Sequence, residues 1–144
     1  MKTPITEQNA SNQNLLEIVI FLIVSIVAFN FGTFNLFLAA SEPMKVFLGI
    51  PPEAYLVSIS LVVYFFSAFT IRLFSILNDV KPIIKWSHLL YRSSFYLFYC
   101  FSGAITANFI PVFLVGIGMY ALDQFHILYY NIKENHPHTI GRTS

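Results

Sequence analysis

The sequence predicts an all-α integral membrane protein with four transmembrane helices and both termini cytoplasmic. The last two spans are expected to form a tight antiparallel hairpin. Three observations carry this expectation. Hydrophobic residues make up 56% of the 144-residue chain, with 16 Phe and 8 Tyr. Charged residues are only 10%, against about 25% in soluble domains. The apolar residues also fall into long runs, separated by short connectors rich in proline and charge.

Residues 1–14 are polar and read as a flexible N-terminal tail. The first apolar run extends from Leu15 to about Ala40, with Glu17 at its start, where a carboxylate reaches water. Ala39-Ala40-Ser41 offers a signal-peptidase site. The run is far longer than the about 7–15 residues of a signal-peptide core, and only Lys2 precedes it, so an uncleaved span is the better reading. Residues 41–53 hold Pro43, Gly49, Pro51 and Pro52, which interrupt regular structure. Within them Val46 to Ile50 is apolar enough to lie on a membrane surface. Glu53, after two prolines, suits the first turn of a second span at about 54–77.

The next loop, 78–87, carries Lys81, Lys85 and the interfacial anchor Trp86. A third span is expected at about 88–110 and a fourth at about 112–130, with Pro111 as the turn between them. The transmembrane domain is thus 15–130, and 131–144 is a polar C-terminal tail. Orientation follows from the basic residues. Of 8 Lys and Arg, only Lys45 falls on the side opposite the tails. The positive-inside rule places the tails in the cytoplasm, most simply across a bacterial cytoplasmic (inner) membrane. The Asn9-Ala-Ser11 sequon then faces the cytosol and goes unused.

Composition also narrows function. A net charge of +1 without any basic run gives no reason to expect nucleic acid. One cysteine, Cys100, excludes an internal disulfide, a CxxC redox pair and a cysteine-based zinc site. His136 and His138 flank Pro137 in the C-terminal tail with no other ligand type beside them, and read as solvated. No cofactor or metal is expected. The aromatic run Phe95 to Phe101 reads as lipid and helix contact.

Charges inside apolar spans cost about 2.5–3.5 kcal/mol at mid-depth and need a reason. Asp123 is the most demanding, because it lies about 10 Å in from the Tyr130 end and is too short to reach headgroups. With the turn at Pro111, Asp123 and His126 come level with residues 93–97, one turn from Arg92. Arg72 and His88 belong to the same half of the bilayer. Asp123, His126, Arg92, Arg72 and His88 therefore form a candidate intramembrane polar site. The simpler reading is an Asp–Arg pair locking the fourth span in place. The sharper one is a proton-coupled site in which Asp123 and His126 exchange a proton.

The other half holds a second polar patch of Asn30, Thr33, Asn35 and Asn108. Gly103 and Ala107 add a small-xxx-small pattern, faced by Gly116 and Gly118 from the last span. Asn, Thr and small residues in spans serve helix–helix contact. With no nucleophile or metal constellation, the expectation is a protein that works by binding, as an accessory subunit or an immunity-type protein. Its partners would be membrane lipids and another membrane protein or a second copy of itself. A small proton-coupled transporter is the alternative.

Overall fold

In the computed structural model, which describes residues 5–83 and 85–135, every regular element is a helix. They are α1 (Ile5–Asn30), α2 (Leu36–Ala39), α3 (Glu42–Leu48), α4 (Ala54–Leu77), α5 (Ser87–Ser102) and α6 (Ile105–Asn135). His136 and His138 lie outside the described residues. Three helices are long and apolar enough to cross a membrane: α1 over Gln8–Asn30, α4 and α6.

The second span matches its expected limits. Glu53 is extended, as the residues before a helix should be, and α4 begins at Ala54. It stops at Asn78, whose backbone and side-chain N–H groups both donate to the Phe74 carbonyl, at 3.0 and 2.8 Å. Those bonds satisfy a carbonyl that the helix end would otherwise leave open.

The first helix departs from expectation at both ends. It begins at Ile5, so residues 5–14 are helical and not a flexible tail. It ends at Asn30, ahead of a turn at 31–33, and the residues up to Ala39 form the separate turn α2. Glu17 is consequently mid-helix and fully buried, not a boundary residue in reach of water. The buried positions Asn14, Glu17, Phe21, Ser25 and Ala28 repeat every three or four residues, one inward stripe that begins well before Leu15.

The hairpin is also placed differently. The chain reverses at Gly103-Ala104, and Pro111 sits inside α6. Reversal calls for a left-handed residue, and Gly103 supplies it with φ 67°, closing α5 through a backbone bond to the Tyr99 carbonyl. Proline cannot adopt that conformation. The expected third span therefore shortens to a helix of 16 residues, about 24 Å long against a hydrocarbon core of about 30 Å.

The central element is α6, which packs against α1, α4 and α5. Lipid tails are as apolar as these side chains, so close packing and buried polar ties hold such helices together. Phe21 of α1 enters a slot over Gly116, where even a Cβ would come within 2.1 Å of the ring. The same ring lies 5.6–6.3 Å from those of Tyr96, Tyr120 and Phe113. Polar ties also cross between helices. Tyr96 O–H donates to Ser25 Oγ at 3.1 Å, joining α5 to α1. Ser58 of α4 lies 2.7 Å from the Tyr99 hydroxyl and donates to Asn108 Oδ1 at 3.1 Å, linking α4, α5 and α6. Asn14 and Ser11 clasp Gln124, with bonds of 2.9 and 3.0 Å, joining α1 to α6.

Candidate functional site

Asp123 is buried on α6 at the meeting point of two cations from two other helices. Arg92 of α5 donates to its Oδ2. Arg72 of α4 brings Nη2 to 2.6 Å from Oδ1. One short acid thus ties three helices, and the ion pairs are stronger for lying out of water. The Arg92 guanidinium also stacks on the Tyr120 ring, 4.0 Å from its centroid, one turn back on α6. The sequence grouping of Asp123 with Arg92 and Arg72 is what the fold brings together.

Two members of the expected site lie within electrostatic range of Asp123 but make no bond to it. His126 is buried, but Nε2–H donates to the Val80 carbonyl at 3.0 Å instead of meeting Asp123. It anchors the α4–α5 loop, as does Lys133, which pairs with Asp79. His88 is half-buried at the start of α5, and its Nδ1 has no hydrogen-bond partner. On α6 itself His126 turns to Val80, and from α5 the long arginine fork of Arg92 reaches Asp123.

Glu17 and Asn14 join this site, although the sequence reading omitted them. Both are fully buried on α1. Glu17 lies within electrostatic range of Arg92 and Asp123, and Asn14 Nδ2 reaches the Tyr120 carbonyl at 3.4 Å. The signal was available in the spacing of Asn14, Glu17 and Phe21, which puts the polar groups on the face that also carries the core phenylalanine. Two buried acids thus stand with two arginines, both of which pair with Asp123. Among the described residues Glu17 Oε2, Asn14 Oδ1 and Ser93 Oγ are buried around them without hydrogen-bond partners.

The second expected patch does not stay together. Asn108 turns inward to Ser58 and also donates to the Ala104 carbonyl at 3.1 Å. Asn35 caps α2, accepting from Leu38 N–H at 3.1 Å, and lies against Gly103. Asn30, Thr33 and Ala107 are exposed, and Asn30 bonds back to its own helix at the Ile26 carbonyl. The small-residue contact is made differently from expectation: Gly116 receives Phe21 of α1 and Gly118 lies near Phe65 of α4, whereas Gly103 forms the turn.

Among the described residues no three His, Cys, Asp or Glu side chains come together to hold a metal ion. The outward surface has apolar grooves of similar size, one of about 340 Å³ between α1 and α6 and one of about 380 Å³ between α4 and α5. Leu56, Ser60, Tyr64, Tyr91, Phe95 and Phe98 are among the residues that line the latter. No family model, curated protein or solved structure matches this chain.

Proposed function

We propose that the chain is a small multi-pass membrane protein that works by binding another membrane-inserted protein, as an accessory subunit or an immunity-type protein. The observation that supports it most is the outward face of α4. Only Val57 and Leu61 of this helix are buried, and large apolar side chains such as Val62, Phe66, Ile71 and Phe74 are exposed along its length. The groove beside it is lined by aromatic rings, which give contact area at low entropic cost. In this reading α5 is a short fourth crossing sheltered by its neighbours. Both tails then share the cytoplasmic side with Lys81 and Lys85, and a bacterial inner membrane is the proposed location.

The second reading is a proton-coupled transporter using Asp123 and His126. The buried polar atoms without partners favour it. Against it, Asp123 is already matched by two arginines and His126 is bonded to the Val80 carbonyl.

One comparison separates the two. The intact chain is reconstituted into vesicles and tested for flux driven by a pH gradient, while a photo-crosslinker at Leu56 or Phe98 is activated in native membranes. Binding predicts a discrete protein adduct at the groove, absent from probes at Ile23 on α1, and no flux. Flux that disappears in a folded Asp123→Asn variant, with only lipid adducts at the groove, contradicts it.

A further inference from the structure

The two buried acids are not treated alike. Asp123 holds both arginines, whereas Glu17 makes no ion pair among the described residues. Its single hydrogen bond comes from Gln13 Nε2, a long 3.3 Å, to Oε1. Oε2 is buried and has no partner. A carboxylate in such a place must be balanced by a cation or by a proton. Among the described residues the groups that face it are few. On α5 there is Arg92, on α6 Asp123 and Tyr120, and on α1 itself Gln13 and Asn14. The cation among them is committed to Asp123.

We infer that Glu17 is a proton-binding site of the folded protein, occupied while both arginines rest on Asp123. The proton completes a neutral carboxyl whose O–H can donate to a neighbouring oxygen. Among the described residues Asn14 Oδ1 is buried there without a partner, and the Tyr120 hydroxyl lies in the same range, beside Arg92. When the proton leaves, it goes to water by way of the polar turn of α1. That turn runs from exposed Gln8, Asn9 and Asn12 to Ser11 and Asn14. Arg92 is the group that can then answer the bare carboxylate, because it already acts on Glu17 across the helix contact and Arg72 stays behind on Asp123. Proton release would so transfer one ion pair from α6 to α1 and pull α1 toward α5.

Infrared spectroscopy of the purified full chain in lipid vesicles tests this directly. At neutral pH the wild type should show the C=O stretch of a protonated carboxylic acid. The band should shift when glutamate, but not aspartate, is isotopically labelled with ¹³C at its carboxyl. It should vanish in Glu17→Gln, and weaken in Asp123→Asn, which frees Arg92 to pair with the Glu17 carboxylate. The labelled wild type gives the answer even if a variant fails to fold. No carboxylic band at neutral pH, a band that moves with labelled aspartate, or one that survives in Glu17→Gln overturns the proposal.

Discussion

His126 shows how a residue with functional looks can be absorbed by the fold. A histidine one turn from a buried aspartate invites a proton-transfer reading, and the sequence offered that reading because the two lie on one face of α6. The face is indeed shared, but the ring points its Nε2–H at the Val80 carbonyl and closes the α4–α5 loop onto α6. Replacing it with alanine should cost about 2–4 kcal/mol, because it empties a buried ring's space as well as breaking the bond. The same change should raise hydrogen exchange across residues 78–83 while leaving α1 protected. Loss of protection throughout the bundle would show that His126 belongs to the Asp123 lock after all. Asp123 itself was legible from sequence, since a short acid deep in an apolar run must find a cation and only Arg72 and Arg92 were on its level. Glu17 was not. Its burial depends on α1 continuing back to Ile5 through polar residues that composition alone marks as a tail.

At the scale of elements, the contact between α1 and α6 is fixed by shape. Phe21 occupies a slot that exists because residue 116 has no side chain. Gly116→Val should destabilise the fold by about 1–3 kcal/mol through overpacking. Thermal unfolding in detergent should then find Gly116→Val with Phe21→Ala no less stable than Phe21→Ala alone. Additive losses would mean that the slot is not where the two helices meet. Helix type and the limits of α4 were readable from hydropathy and from the proline pair before it. The hairpin turn was not, because proline and glycine both punctuate, and composition does not say which one bends the chain. The φ of 67° at Gly103 decides it, and Pro111, only six residues past the start of α6 at Ile105, is carried inside the helix.

For the whole molecule, charge lies inside and grease outside, the inverse of a soluble domain. The polar stripes of α1, α5 and α6 turn toward one another, and the exposed surface carries side chains such as Ile26, Val62, Phe66 and Leu97. The proposed topology has a direct consequence. With Cys100 replaced by serine, single cysteines introduced at Asn9 and Lys81 should react with an impermeant thiol reagent from the same side of sealed vesicles. One at Phe47, which is 86% exposed in the connector between α1 and α4, should react from the opposite side. Labelling of Asn9 and Lys81 from opposite sides would break the four-crossing arrangement.

The claim on which the rest depends is that Asp123 and its arginines are an internal lock. A double-mutant cycle on Asp123→Asn and Arg92→Gln, read as unfolding free energy in detergent, measures it most directly. Asp123→Asn strands the buried Arg92 and should cost about 3–5 kcal/mol, whereas Arg92→Gln leaves Asp123 with Arg72 and should cost less. The double variant should be no less stable than the worse single one, because it removes acid and base together. Independent, additive losses, or an Asp123→Asn protein as stable as the wild type, would contradict the lock.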